Sequence, residues 1–210
     1  MARNEELYNA VAAGKRRDVQ RIVQECLDRE GDALELLNES MIPAMQEVGE
    51  KFSRGEAFIP EMLVAARAMQ AGVNLIEPIL VKSGHKATGK VCIGAVKGDL
   101  HDIGKNLVAI MLRSAGYEVI DLGTDCDVDK FREAVEKQGA QAVLASALLS
   151  TTMSYMEKLV EGFRDRPDIP VIIGGAPVTE EFAEQIGAAG YGKDAGAAVH
   201  AVRRLVPASA

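Results

Sequence analysis

The sequence contains little of what defines several large classes of protein. Its three cysteines, Cys26, Cys92 and Cys126, are odd in number and form no Cys-x-x-Cys pair, so neither a disulfide framework nor a zinc site is predicted. No apolar run approaches the roughly 20 residues that span a bilayer. The start of the chain, residues 1–6, lacks the hydrophobic stretch of a signal peptide. We therefore expect a reduced, cytoplasmic location.

The sequence also has no excess of positive charge. Its 31 acidic and 24 basic residues give a formal net charge of -7 over 210 residues. This balance argues against nucleic acid or an anionic membrane as the main partner. The length is sufficient to bury one large core or two small ones.

Apolar residues recur at helical spacing through the first part of the chain, and they predict four helices packed as a small bundle. Pro60 suits the first turn of the fourth helix, and Pro78 is predicted to kink or end it. The polar, glycine-bounded stretch 84–89 is predicted to be a linker. A helical cap domain is thus expected over residues 1–83.

From Lys90 onward, short apolar runs alternate with amphipathic helical segments, which predicts an α/β domain over residues 90–210. Short turns between the elements imply a five-stranded parallel sheet, doubly wound in flavodoxin-like order and covered on both faces. The predicted strands are Val91–Val96, Glu118–Asp121, Ala142–Ala145, Val171–Ile173 and Ala188–Tyr191. The predicted helices are 102–114, 127–138, 152–164, 179–186 and 194–205.

A histidine motif follows the first predicted strand. His101 lies at the carboxyl end of that strand, where open α/β sheets bind ligands. Asp99 can hold one ring nitrogen and aim the other outward, which is typical of a metal-ligating histidine. The alternative is a polar loop in which Asp99 or Asp102 caps the next helix. Of the other histidines, His85 falls in the linker and His200 in the last helix, so only His101 sits at this edge.

Three further turns are predicted to reach the same edge of the sheet. They are the hydroxyl-rich Ser146–Thr152, then Gly174–Pro177, then Tyr191–Ala195. Small residues let a ligand approach the backbone, and hydroxyls can hydrogen-bond its polar atoms. Each turn alone is more typical of an ordinary turn or helix cap than of a binding site. Together with the histidine motif, they predict a deep slot that ends at a histidine.

Four separated segments resemble the signature of cobalamin-binding domains. Asp-x-His-x-x-Gly, Ser-x-Leu and Gly-Gly are matched at 99–104, 146–148 and 174–175. Residues 52–62 are similar to the helical cap that precedes this domain in cobalamin-dependent methionine synthase and in corrinoid proteins of methyltransferase systems. The resemblance covers essentially the whole chain, and four motifs in the correct order make it specific.

The resemblance implies a bound cobalamin (methylcobalamin or a related corrinoid) and a role for individual residues. His101 is implied to be the lower ligand of the cobalt, Asp99 to hold its other ring nitrogen, and Thr152 to bond this aspartate, so that these three serve the chemistry. Phe58 in the cap is implied to cover the upper cobalt face. The other implied contacts to the cofactor and its displaced nucleotide tail are Gly98, Leu100, Asp102, Ile103, Gly104, Ser146, Leu148, Ser150, Gly174, Gly175 and Ala195.

The resemblance also implies a corrinoid methyl carrier. Such a protein accepts a methyl group on cobalt(I) from a substrate-specific methyltransferase. It delivers that group to a second enzyme, a corrinoid:tetrahydrofolate methyltransferase or similar, and a reductive activase is a further implied partner. Because the chain has no donor-binding or acceptor-binding barrel, we expect a carrier subunit, not catalytic alone. Two alternatives remain open: the cobalamin-binding subunit of an adenosylcobalamin-dependent mutase, which the cap with Phe58 disfavours, and a cobalamin sensor, which the lack of a DNA-binding region disfavours.

Cys126 has no role in the site that the resemblance implies. It is predicted to lie in the turn after the second strand, on the ligand edge. A redox or cobalt-directed thiol is one interpretation, and an incidental buried cysteine is the favoured one.

Overall fold

A computed structural model describes residues 3–29, 31–82 and 87–206. The chain divides into two compact units, one formed by residues 1–86 and 114–116 and the other by residues 87–113 and 117–210. The predicted limits, 1–83 and 90–210, stay a prediction. Residues 84–86 of the predicted linker, including His85, lie outside the described residues.

The first unit is helical, and the predicted small bundle is confirmed. Two of its helices and a π-helical segment between them follow one another without a break, so four helical rods are present in the described part. The elements are α1 (Glu5–Ala12), α2 (Arg16–Asp28), α3 (Ala33–Glu35), the π-helical segment (Leu36–Met41), α4 (Ile42–Ser53) and α5 (Ile59–Lys82).

Two prolines bear on the course of these helices. In the π-helical segment the Ile42 N–H bonds to the carbonyl of Leu37, five residues back. The next residue, Pro43, has no N–H and would crowd the carbonyl four residues before it, and a wider turn relieves this. Pro78 does not end α5, which runs on to Lys82. Pro78 lies on the exposed side of α5 while the neighbouring Ile76 is fully buried, so packing holds the helix despite one lost hydrogen bond.

The second unit is a five-stranded parallel sheet in the order β2-β1-β3-β4-β5, which confirms the predicted flavodoxin-like winding. A 3₁₀ turn, Ser150–Thr152, follows β3. The elements are β1 (Lys90–Val96), α6 (Ile103–Ser114), β2 (Glu118–Cys126), α7 (Val128–Gln138), β3 (Val143–Ser146), α8 (Ser154–Glu161), β4 (Val171–Gly174), α9 (Glu180–Ile186), β5 (Gly190–Gly192) and α10 (Ala195–Leu205).

Burial of both faces of the sheet explains the continuous apolar runs in the sequence. Residues 91–96 of β1 are all buried, as expected for a parallel strand covered by helices on each side. One core cluster joins Cys92 and Val96 to Phe131 of α7 and Leu159 of α8. The residues of β1 that alternate with Cys92 and Val96 point to the other face of the sheet.

The strand register brings the ends of four strands into one row. Ala95 of β1 pairs with Ser146 of β3, Ser146 with Gly174 of β4, and Gly174 with Gly192 of β5. The order of the strands reverses between β1 and β3, and such a switch point opens a crevice outside the carboxyl ends. The turns that follow these strands carry the predicted site residues.

β2 is longer than predicted, because it continues past Asp121 to Cys126. Its pairing with β1 survives two register shifts beside Gly94. The extra residues are accommodated by positive φ angles, +79° at Gly123 and +51° at Asp125. A bulged segment does not show regular alternation of apolar and polar residues. The sequence pattern therefore predicts that this strand ends at Asp121.

Candidate functional site

The loop after β1 begins with a tight turn. The Asp99 N–H donates to the Val96 carbonyl over 2.9 Å, and Gly98 has φ +86°. A positive φ at the third residue of a turn favours glycine because a side chain there would clash. The turn carries the chain from the strand end directly to the aspartate.

The Asp99 carboxylate is completely buried and accepts hydrogen bonds at both oxygens. Its Oδ1 accepts from the backbone N–H of His101 over 2.9 Å and lies 2.8 Å from the Nδ1 of the same residue. Its Oδ2 accepts from the N–H groups of Leu148 and Leu149, over 2.6 and 3.3 Å, and lies 3.0 Å from the Thr152 hydroxyl. The aspartate thus ties the histidine loop to the turn after β3.

These contacts keep Asp99 ionised. Burial acts to raise the pKa of the Asp99 carboxyl, but the hydrogen bonds from His101, Leu148 and Thr152 outweigh burial and hold the pKa well below its ordinary value. Hydrogen bonds to a carboxylate favour its charged form. The site therefore contains a fixed negative charge beneath the histidine at neutral pH.

The charge on Asp99 determines the tautomer of His101. An ionised carboxylate can only accept, so the His101 Nδ1 must carry the proton in the 2.8 Å contact. In the neutral imidazole the other ring nitrogen, Nε2, then has a lone pair. The side chain is 50% exposed, so this lone pair belongs to a half-exposed imidazole whose opposite edge is held, which is the arrangement of a metal-ligating histidine.

The Thr152 hydroxyl has a choice between two acceptors. It lies 3.0 Å from Asp99 Oδ2 and 2.8 Å from the carbonyl oxygen of Leu149. A hydroxyl carries one proton, so it donates to one of these at a time. The structure therefore brings together all three residues expected to serve the chemistry, Asp99, His101 and Thr152.

Exposed apolar side chains lie in the histidine loop, at the start of α6 and in the turn that is bonded to Asp99. Leu100 and Ile103 are 73% and 74% exposed, and Leu148 and Leu149 are also exposed. Large apolar groups clustered on a surface mark a binding site more often than chance exposure. Asp102 is exposed and accepts from the Asn106 amide over 3.0 Å.

Most other predicted contact residues lie on the same strand ends or the turns after them. Ser146 ends β3, Ser150 is exposed at the start of the 3₁₀ turn, and Ala195 is buried at the start of α10. A Cβ on Gly104, in the first turn of α6, would meet nothing within 4 Å. Gly104 therefore faces open space, as a ligand slot requires.

The Gly-Gly pair after β4 has a reason within the fold. A Cβ on Gly174 would lie 2.6 Å from the Gly192 carbonyl oxygen. A Cβ on Gly175, whose φ is +133°, would lie 1.8 Å from the Ala147 carbonyl oxygen. Neighbouring backbone thus demands glycine at both positions, so the pair does not by itself indicate a ligand.

Phe58 belongs to the helical unit, immediately before α5. Its backbone N–H donates to the Glu61 carboxylate over 2.8 Å, the reverse half of a capping box. Its side chain is 68% exposed. The capping contact fixes the backbone of Phe58 while its ring stays accessible.

The sequence prediction missed two contributions from β2. Asp125 bonds to the backbone of the histidine loop, and the Asp121 carboxylate binds the buried ammonium of Lys105 over 2.5 Å. The sequence pattern predicts Asp121 as the last residue of the second strand and places Asp125 in the turn after it. Their alternation with Gly123, a residue that permits a bulge, was the one available signal.

Cys126 is not in a turn, which corrects the prediction. It is the last residue of β2 and is fully buried, with its sulfur 3.4 Å from the Leu122 carbonyl oxygen. Burial raises the pKa of the Cys126 thiol. A buried, protonated thiol is a poor nucleophile and a poor metal ligand, which agrees with the interpretation as an incidental buried cysteine.

Comparisons with known proteins identify the class to which this fold and site belong. Two family models described as "B12 binding domain" match residues 89–200 and 3–77. The trimethylamine corrinoid protein of Methanosarcina barkeri is 41% identical over 187 residues, 87% of this chain and 86% of that protein. Each of the two units thus matches a B12-binding model, and most of the chain is similar to a corrinoid protein.

Solved structures agree with this assignment. A cobalamin-binding protein from Desulfitobacterium hafniense has a TM-score of 0.81 and 30% identity, with coverage of 95% of this chain and 97% of that one. A chain of the methanol:cobalamin methyltransferase complex from Methanosarcina barkeri has a TM-score of 0.82 and 29% identity, with coverage of 96% and 78%. The chain belongs to the B12-binding domain family, and the cofactor indicated by this membership is cobalamin or a related corrinoid.

The residues present fit a corrinoid. A corrinoid would bring most of the nitrogen ligands of its own cobalt, so the protein would need to add only one, and the Nε2 of His101 would suit that role. The exposed leucine and isoleucine side chains beside it suit the apolar edge of a macrocycle. Within the described residues no cluster of three or more His, Cys, Asp or Glu side chains could hold a bare metal ion. No helix in the described ranges is both long and apolar enough to cross a membrane.

Proposed function

We propose that this chain is a methyl-carrying corrinoid protein with His101 as the lower ligand of its cobalt. It takes a methyl group from a substrate-specific methyltransferase and passes it to a second methyltransferase that serves tetrahydrofolate or a similar acceptor. The observation that carries this proposal is the half-exposed His101 ring, whose Nδ1 is held 2.8 Å from a buried carboxylate. Membership of the corrinoid family supports it.

The bound corrinoid would supply a cobalt that takes up and gives up a methyl group. The chain's own residues prepare the ligand for this exchange. Asp99 keeps the proton on Nδ1 and the lone pair on Nε2, and its charge strengthens the imidazole as a donor. The Thr152 hydroxyl can donate to Asp99 or turn to the Leu149 carbonyl, so it adjusts the charge felt by His101 without a change of backbone.

The slot for the nucleotide tail is also a proposal. It would run from the histidine loop across the row of strand ends, past Gly104 and the turns after β3 and β4, to the start of α10. The open space at Gly104 supports this path. The lining residues would be Gly104, Ser146, Leu148, Ser150, Gly174 and Gly175, with Ala195 beside the end of the tail.

The names of relatives support a methyltransferase partner. One relative is a trimethylamine corrinoid protein, and one solved relative is part of a methanol:cobalamin methyltransferase complex. A small methylated compound, used through its own methyltransferase, is therefore the proposed donor class. A corrinoid:tetrahydrofolate methyltransferase and a reductive activase complete the proposed set of partners.

Methyl transfer can be followed through the absorption spectrum of the cobalt. Reduced holo-protein is mixed with a cell extract and, in turn, trimethylamine, dimethylamine, methanol, betaine or a methoxyarene. We expect a change to the methylated spectrum with one donor class and a return on addition of tetrahydrofolate and extract. If no donor methylates the cobalt while free cobalamin is methylated in the same extract, the carrier function is wrong.

A further inference from the structure

Asp125 makes a reciprocal pair of hydrogen bonds with the histidine loop. Its Oδ1 accepts from the Gly98 N–H over 2.8 Å. Its own N–H donates to the Asp99 carbonyl oxygen over 3.0 Å. These two bonds, from one residue at the end of β2, bracket the peptide unit that joins Gly98 to Asp99.

The backbone of Asp125 is unusual. With φ +51°, it is the one residue other than glycine in the described ranges that has a positive φ. This conformation is disfavoured for most residues, although Asp and Asn tolerate it better. Residues held in such conformations cluster at functional sites, where surrounding contacts maintain them. Here the maintaining contacts are the two bonds to the histidine loop.

We propose that Asp125 is a positioning residue that sets the orientation of His101 through the peptide between Gly98 and Asp99. The proposal rests on the proposed function, in which His101 is the cobalt ligand. Asp125 fixes the backbone on either side of the turn, and Asp99 in turn fixes the imidazole. Because β2 holds the histidine loop, the His101 ring would keep its position in the protein without cofactor. Binding of the corrinoid would then not need to order the loop.

Two substitutions separate the hydrogen bond from the backbone conformation. Asp125→Gly keeps the positive φ without strain and removes the acceptor for the Gly98 N–H. Asp125→Asn keeps an acceptor oxygen and tolerates the same φ, but removes the charge. A contribution from the hydrogen bond itself is therefore lost in Asp125→Gly and largely kept in Asp125→Asn.

The first measurement uses the protein without cofactor. Amide hydrogen exchange, followed by nuclear magnetic resonance, should become roughly tenfold faster at Gly98 in Asp125→Gly, because a charge-assisted hydrogen bond is lost. In Asp125→Asn the rate should stay within about threefold of wild type. Thermal unfolding of each variant, together with exchange in the core of β3, controls for global loss of stability.

The second measurement uses the holo-protein in the cobalt(II) state. Nitrogen superhyperfine splitting in the electron spin resonance spectrum reports the imidazole ligand. We expect the split fraction to fall at least severalfold in Asp125→Gly and to persist in Asp125→Asn. His101→Ala serves as the reference in which the splitting is absent.

The outcomes distinguish the two proposals. Splitting that survives in His101→Ala overturns the ligand assignment, whatever the Asp125 variants do. Splitting that disappears in His101→Ala but is unchanged in Asp125→Gly, with unchanged exchange at Gly98, overturns the positioning role alone. Should Asp125→Gly fail to fold, Asp125→Asn still decides, since loss of splitting in that folded variant contradicts the proposal.

Discussion

The buried ammonium of Lys105 pairs with the partly exposed carboxylate of Asp121. Lys105 is 2% exposed, and its ammonium donates to Asp121 over 2.5 Å and to the Asn106 side chain over 2.7 Å. The same Asp121 oxygen accepts from the Gly123 N–H over 2.9 Å. Burial acts to raise the pKa of Asp121. The contacts with Lys105 and Gly123 outweigh this effect, so the pKa lies below its ordinary value.

Asp121→Asn should destabilise the protein by about 2 kcal/mol at pH 7, because it leaves a buried ammonium without its countercharge, while solvent at the partly exposed carboxylate weakens the pair. The folded pKa of Asp121 is depressed, so its contribution is fully present above the unfolded value of about 3.9 and is lost as pH falls through the folded value. The difference between wild type and variant should therefore shrink below about pH 4. Urea unfolding at pH 7, 5 and 3 measures this directly.

Glu118→Gln is the matched control on the same strand. Its partner Lys90 lies 2.9 Å away, and the glutamate side chain is 55% exposed. An exposed pair of this kind contributes at most about 1 kcal/mol. Equal losses in the two variants, or a loss in Asp121→Asn that does not change with pH, would contradict the importance of the Lys105–Asp121 pair.

At the scale of an element, the first turn of α6 combines a structural and a functional demand. Glycine is a poor helix former, yet Gly104 occupies this turn with open space around its missing Cβ. Nothing in the surrounding protein requires glycine there. A ligand that passes close to the helix would require it.

Gly104→Leu should therefore change stability and binding in opposite directions. The protein without cofactor should gain up to about 1 kcal/mol, because glycine is replaced by a good helix former. Corrinoid affinity should fall at least tenfold, because the new side chain occupies the proposed path of the tail. Denaturant unfolding and titration with cobalamin provide the two numbers.

Gly104→Ala serves as the graded comparison, with a similar gain in stability and a smaller loss of affinity. If Gly104→Leu binds cobalamin as tightly as wild type, the tail does not pass over α6. Substitutions at Gly174 or Gly175 are unsuitable for this purpose, since an added Cβ there would collide with backbone and disturb the fold itself.

At the scale of the whole molecule, a methyl carrier has to admit two enzymes to one cobalt. The polar, glycine-bounded stretch 84–89 predicts that the helical unit and the sheet unit move as separate bodies. Limited proteolysis should then cut first near this stretch and leave a fragment from about Lys90 that retains the corrinoid. Phe58→Ala should accelerate photolysis of the methylated cofactor while nitrogen splitting from His101 in the cobalt(II) state persists.

Ile79→Ala is a useful control for the photolysis measurement on Phe58→Ala, because Ile79 is another exposed apolar residue of the helical unit. It should leave the lifetime of the methylated cofactor unchanged. Two results together would rule out a helical unit that moves separately from the sheet unit. They are resistance of the 84–89 stretch to protease in every cobalt state and an unaltered lifetime of the methylated cofactor in Phe58→Ala.

The sequence by itself determined the two-part architecture, the winding of the sheet and the placement of His101 at a strand end. These features are local in origin, because helical and strand periodicities and turn residues act over a few positions. The resemblance of the motifs to cobalamin-binding domains identified the family, which the comparisons confirmed. It also supplied the trio of Asp99, His101 and Thr152, which the structure places in contact.

Only the tertiary structure decided how the loop is held. Leu148 and Thr152, which lie 49 and 53 residues from Asp99 along the chain, come to its carboxylate through the pairing of β1 with β3. Asp125 reaches Gly98 because β2 bulges and continues beyond its predicted end. Such contacts depend on strand register and on positive φ angles, which a periodic pattern does not encode.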